Sequence, residues 1–121
     1  MLTKFSHVML WVEDLDRAVK FWEQHFDFKP RMVAAGHYAV LHHQAMNFPL
    51  HLHPTKKGDP NVGHGPQVYF VADDLDREVA RLRAAGLKVT DPRSESGSPR
   101  FCETQDSEGN PIGLTESRPA R

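Results

Sequence analysis

Two periodicities run through this chain, and they succeed one another in the same order twice. From Phe5 to Val12 the positions are almost all apolar, with β-branched and aromatic residues prominent, which predicts a strand buried on both faces. The period then changes. Leu15, Ala18, Val19, Trp22 and Phe26 recur at helical spacing and mark one buried stripe. Asp14 stands just ahead of them as an N-cap, its carboxylate placed to accept free N–H groups of the first turn. Three shorter extended segments are expected next, at Lys29–Ala34, Tyr38–His43 and Phe48–His53.

The second half repeats this grammar. Val68–Ala72 reads as a strand, and Leu75, Val79 and Leu82 as a helical stripe. Gly86 falls where a left-handed residue ends a helix. Extended segments follow at Leu87–Thr90, Arg100–Gln105 and Pro111–Thr115. The repetition extends to the letters: Asp14-Leu15-Asp16-Arg17 recurs as Asp74-Leu75-Asp76-Arg77, an offset of 60 residues. The stretch from Pro54 to Pro66 is rich in turn residues and reads as the linker. The expected fold is α+β: two βαβββ modules, about residues 4–54 and 65–117, forming a curled mixed sheet within one domain spanning 1–121. Glu116–Arg121 carries no periodic pattern and reads as a frayed tail.

Strand alternation sorts the side chains by face. Val8, Leu10 and Val12 oppose His7, Met9 and Trp11. Val68 and Phe70 oppose Gln67, Tyr69 and Val71, Leu50 and Leu52 oppose His51 and His53, and Ile112 and Leu114 oppose Gly113 and Thr115. One face of each strand is purely apolar and suits packing under a helix. The other mixes His, Gln, Tyr, Trp and Gly, which suits the lining of a concave, partly polar pocket.

Composition narrows the partners. With 15 Lys plus Arg against 16 Asp plus Glu, the net charge of −1 gives no basic footprint for nucleic acid. No apolar run approaches the ~18–20 residues of a membrane span, and Met1–His7 lacks the charged-then-apolar order of a secretory signal. Cys102 is the one cysteine, so neither an intrachain disulfide nor a cysteine-rich zinc site is available. A cytoplasmic protein binding a small molecule is the expectation.

The opening phrase His7-Val-Met-Leu-Trp-Val-Glu-Asp-Leu-Asp-Arg-Ala-Val-Lys-Phe-Trp22, the duplication, and Asp106-Ser-Glu-Gly-Asn-Pro-Ile-Gly-Leu114 resemble the vicinal oxygen chelate superfamily. That group holds glyoxalase I, bleomycin-resistance proteins, fosfomycin-resistance enzymes and extradiol dioxygenases. The resemblance implies an open cup, commonly completed in a homodimer, with one divalent metal ion (Zn, Ni, Mn or Fe) held by a residue from the first and last strand of each module. Those positions fall on His7, His51, Gln67 and Gly113.

The set is incomplete. His7 and His51 supply two imidazoles and Gln67 a weak amide oxygen, while Gly113 replaces the carboxylate that would balance the metal's charge. Glu116 lies on the opposite face from Gly113 unless a bulge intervenes, and Glu103 is a candidate base or substitute ligand. The missing Glu favours a cup that binds its ligand without a complete metal site, with Trp11, His53, Tyr69 and Gly113 against the ligand and Gly113 opening pocket volume. A divalent-metal lyase, transferase or dioxygenase acting on vicinal oxygens is the alternative, and a non-catalytic regulatory module on the same fold is a third. Plainer roles stand beside these: His53 as a strand histidine with one edge in water, Trp11 and Tyr69 as core aromatics, and Cys102 as a small buried hydrophobe. The polar stretch Asp91–Pro99 reads as an exposed connection or as a lid.

Overall fold

The computed structural model describes residues 1–117, so positions 118–121 of the expected tail lie outside the described residues. Seven strands and two helices follow in the order β1 (Val8–Val12), α1 (Leu15–Phe26), β2 (Lys29–Ala34), β3 (Tyr38–His43), β4 (Met46–Pro54), β5 (Val68–Ala72), α2 (Leu75–Ala84), β6 (Phe101–Gln105) and β7 (Pro111–Glu116). They form two mixed sheets, ordered β1-β4-β3-β2 and β5-β7-β6, in an α+β architecture. Two compact units result. The first holds Met1–Gly65 together with Asp106–Asn110, and the second Pro66–Gln105 together with residues 111–117.

In the first unit β1 pairs parallel with β4, setting Met9 beside His51 and Trp11 beside His53, and β4 pairs antiparallel with β3. Helix α1 lies over β2, β3 and β4. Its stripe of Leu15, Ala18, Val19 and Trp22 is buried with Leu10, Val12, Leu41, Leu50 and Leu52. The Asp14 carboxylate accepts the Arg17 N–H at 3.0 Å, the cap its position predicts. The first strand differs from expectation. It starts at Val8, Phe5 is exposed, and Met9 and Trp11 are half-buried, so only one face is core.

The second unit repeats the plan less completely. Beta5 pairs parallel with β7, which pairs antiparallel with β6. Leu75, Val79 and Leu82 of α2 are buried, and Asp74 caps the helix as Asp14 does, accepting the Arg77 N–H at 3.1 Å. Gly86 ends α2 at φ 93°, with the Leu87 N–H donating to the Leu82 carbonyl and the Gly86 N–H to that of Arg83. A left-handed alanine is strained, so Gly86→Ala is expected to cost about 1 kcal/mol, measurable as a lower urea midpoint with an unchanged slope.

The expected strand at Leu87–Thr90 does not form. The Thr90 N–H donates to the Glu103 carbonyl and Arg93 exchanges both backbone bonds with Phe101. Three residues thus advance on one side against two on the other, so the register slips around Asp91-Pro92. The Glu103 N–H is taken at 2.8 Å by the Thr90 hydroxyl and not by a ladder carbonyl. A side chain replacing a backbone acceptor is what breaks the strand. The second module is therefore βαββ with an irregular segment beside β6. At the other end Glu116 is not tail: it closes β7, and its carboxylate accepts from Arg100 at 3.0 Å. Among the described residues no helix is long and apolar enough to cross a membrane.

Candidate ligand-binding site

In each unit the helix covers one sheet face, and the mixed side chains collect on the other. In the first unit this face brings His51, His53, Trp11 and Tyr38 together. The Tyr38 hydroxyl hydrogen-bonds His51 Nδ1, and the Tyr38 ring meets His51 and His53 edge-on at centroid distances of 5.3 and 5.7 Å. Trp11 meets His53 edge-on at 4.8 Å. His53 Nδ1 donates to the Pro54 carbonyl at 2.9 Å, which fixes its tautomer and leaves Nε2 as an acceptor. Trp11 and His53, both half-buried, are thereby neighbours on one surface. Tyr38 was missed from sequence. Its alternation within β3 matched that of His42, and nothing local marked it as the hydroxyl that orients His51.

His7 precedes β1, is exposed, and stacks on His51 with ring centroids 3.7 Å apart and planes inclined by 11°. Its Nδ1 lies 2.8 Å from the Ser6 hydroxyl. Burial, and then the neighbouring His7, hold the His51 pKa below the ordinary histidine value.

In the second unit Tyr69 of β5 sits beside Gly113 of β7, with Glu103 on the far side of Gly113. The tyrosine ring lies flat over the glycine. A Cβ built on Gly113 comes within 2.3 Å of Tyr69 Cδ2 and 2.6 Å of its Cγ. Gly113 is therefore not the opening expected from sequence; the ring of Tyr69 fills the space. Gln67, just ahead of β5, donates its amide to the Tyr69 hydroxyl at 3.2 Å. Glu103 does not stand free as a base. Arg93 donates to it at 2.6 Å and the Thr90 hydroxyl at 3.2 Å, and the Arg93 bond above all holds its carboxyl below the usual range. Burial pushes the Cys102 thiol up, which fits an inert packing residue.

These arrangements do not suit a metal ion. An imidazole binds a metal in its own ring plane, at about 2.0–2.1 Å for zinc. Two stacked rings with centroids 3.7 Å apart and planes inclined by only 11° share no in-plane point at that range, so His7 and His51 are not aimed at one ion. In the second unit Gln67 is engaged by a hydroxyl, and Gly113 has neither a donor nor room for one. Among the described residues no group of three or more His, Cys, Asp or Glu side chains is placed to hold a metal.

Beside Tyr69 the second unit has a hollow of about 460 Å³, lined by Tyr69, Phe101, Pro99, Thr115, Ser96, Ser98 and Glu95. The sequence marked Asp91–Pro99 only as a connection or lid; the structure makes part of it a wall.

Known proteins place the fold. No curated protein matches the sequence significantly. TnmS3, an antibiotic-binding protein from Streptomyces sp. CB03234, is 22% identical, with a TM-score of 0.73 over 97% of this chain and 100% of that one. A glyoxylase/bleomycin resistance protein/dioxygenase domain from Frankia sp. EAN1pec is 20% identical, with a TM-score of 0.78 over 98% and 100%. The fosfomycin resistance protein FosX from Listeria monocytogenes, complexed with Mn(II) and sulfate, is 16% identical, with a TM-score of 0.77 over 98% and 93%. Likeness at this identity establishes the fold, and the sequence itself establishes the kinship: residues 4–114 match the family model, so the chain belongs to the Glyoxalase/Bleomycin resistance protein/Dioxygenase superfamily.

Proposed function

We propose that this chain binds a small organic molecule on the mixed faces of its sheets and does so without a metal ion. The observation that carries this is the Tyr69 ring lying over Gly113, where a ligand carboxylate would otherwise project. A flat aromatic surface stands in place of a metal ligand. In the second unit Tyr69 and Gly113 form that surface, and in the first Trp11 and His53 offer an aromatic plane beside a fixed imidazole acceptor. The antibiotic-binding activity named for TnmS3 supports a binding role on this fold, while the Mn(II) of FosX marks what the histidine stack here would have to rearrange to accept. His7, His51 and Gln67 act in this reading as polar lining. We further propose that the protein works as a cytoplasmic homodimer. The exposed Val71, on the outer strand β5, is an apolar contact available to a second copy.

Elemental mass spectrometry combined with a thermal-shift screen tests this. Purified protein is expected to carry well under one metal per chain, unchanged by His7→Ala, and ligand-induced shifts in melting temperature are expected to persist after chelation. About one Mn, Ni, Zn or Fe per chain, lost in His7→Ala together with the ligand shifts, would overturn it. Sedimentation velocity reads the dimer directly.

A further inference from the structure

We propose that the hollow of the second unit takes a flat aromatic cation, its ring against Tyr69 and Phe101 and its charge at the Glu95 carboxylate. The assignment rests on the binding function proposed above and names its ligand class. At about 460 Å³ the hollow falls within the range of small-molecule sites. Tyr69 and Phe101 stand 6.3 Å apart at 68°, so a planar guest lying along one ring meets the edge of the other. Tyr69 commits one ring face to Gly113 and still keeps 43% of its surface exposed. One face of Phe101 is taken by the Arg93 guanidinium, 4.5 Å from its centroid and neutralised by Glu103, so the guest lies along the open face of Tyr69 and meets Phe101 at its edge.

The polar groups decide the sign of the guest's charge. The Ser98 hydroxyl donates to the Pro99 carbonyl at 3.1 Å and the Thr115 hydroxyl to that of Arg100 at 3.2 Å, so neither is offered to an anion. The cations are committed too. Arg93 is ion-paired with Glu103, and Arg100 with Asp76 and Glu116. Arg93 lies close enough to feel Glu95, yet its hydrogen bonds go to Glu103 and Thr90. Glu95 is exposed on the lining and makes no ion pair among the described residues. It is also held in place. The Ser98 N–H donates to the Glu95 carbonyl at 2.9 Å and the Ser98 hydroxyl accepts the Glu95 N–H at 3.1 Å. Ser96 and Gly97 between them have φ of 50° and 77°, the paired positive values of a type I′ turn. A rim fixed in advance loses little freedom on binding.

Titration of the full chain with three planar probes, followed by fluorescence in 150 mM salt, tests the assignment. Proflavine is the cation, acridone the neutral ring and anthracene-9-carboxylate the anion. Proflavine is expected to bind one per chain, roughly threefold tighter than acridone, as an ion pair to an exposed carboxylate implies. Glu95→Gln, a surface change that does not threaten folding, removes that preference and leaves acridone affinity unchanged. Phe101→Leu weakens both. Equal binding of all three probes, insensitivity to Glu95→Gln, or no proflavine binding overturns the assignment. If screened ligands respond to Trp11 and His53 variants and not to Glu95→Gln, the binding function stands and only this site falls. If no compound of any charge binds, both fall.

Discussion

Glu108→Ala is expected to lower the melting temperature by roughly 10 °C, corresponding to about 3 kcal/mol in a chain of this size. The carboxylate has a side-chain exposure of 0%. It accepts the backbone N–H groups of Glu13 and Asp14 at 2.8 and 3.0 Å, just ahead of α1, and two hydrogen bonds from Arg17 at 2.8 and 3.0 Å. It thus places a negative charge at the start of the helix and satisfies two backbone donors there. Removing it orphans two backbone N–H groups, each worth about 1–3 kcal/mol when buried. Arg17→Met takes away the countercharge and two hydrogen bonds but leaves the Glu108 carboxylate held by both backbone N–H groups and the Ser107 hydroxyl, so it is expected to cost less, about 2 kcal/mol. Differential scanning calorimetry of the two variants distinguishes an anion that satisfies backbone from a simple ion pair. Equal losses would mean that the ion pair alone matters.

The same group sets an acid limb. Burial by itself raises the Glu108 pKa, but Arg17, the two backbone donors and Ser107 outweigh it, and the net value lies below the ordinary 4.5. The folded chain therefore releases this proton more readily than the unfolded one. The stability it supplies is complete above the ordinary value and is lost as pH falls through the folded-state value. Asp106 opposes this trend, because burial holds its carboxyl above the usual range against the hydrogen bonds of Asn110 and the Glu108 N–H. Glu108→Gln is expected to flatten the wild-type acid limb below about pH 4.5, read as melting temperature against pH.

Local chemistry was legible in the sequence wherever one element decided it. The caps at Asp14 and Asp74, the stripes Leu15-Ala18-Val19-Trp22 and Leu75-Val79-Leu82, and the left-handed Gly86 all follow from spacing within a few residues. Alternation also sorted Trp11, His51, His53 and Tyr69 to the mixed faces. What failed depended on groups distant in sequence. Leu87–Thr90 looks like a strand until the Thr90 hydroxyl takes the Glu103 N–H. Glu108 sits in a turn that reads as punctuation, and its partners stand more than ninety positions earlier. Gly113 was recognised as a departure from the family, but the space it leaves looked vacant because its occupant lies on another strand.

That occupant makes Gly113→Ala the second large effect. One methyl group at 113 would stand 2.3 Å from the Tyr69 ring, against the flat body of the ring and not the tip of a flexible chain. The ring must swing away, forfeiting its contact with the sheet and the Gln67 hydrogen bond, at an expected net cost of about 2 kcal/mol. In a Tyr69→Ala background the clash is gone. Alanine is the better strand residue, so Gly113→Ala should there be neutral or stabilising by about 0.5 kcal/mol. The double-mutant cycle thus carries a coupling energy near 2 kcal/mol, the signature of direct contact. Chemical denaturation measures it. Gly113→Glu extends the argument to function, since alone it should destabilise without recruiting Mn(II), whereas with Tyr69→Ala the carboxylate has room. A Gly113→Ala variant as stable as wild type, with ligand binding intact, would show that the Tyr69 ring does not depend on the glycine beneath it, and the observation behind the metal-free function would fall.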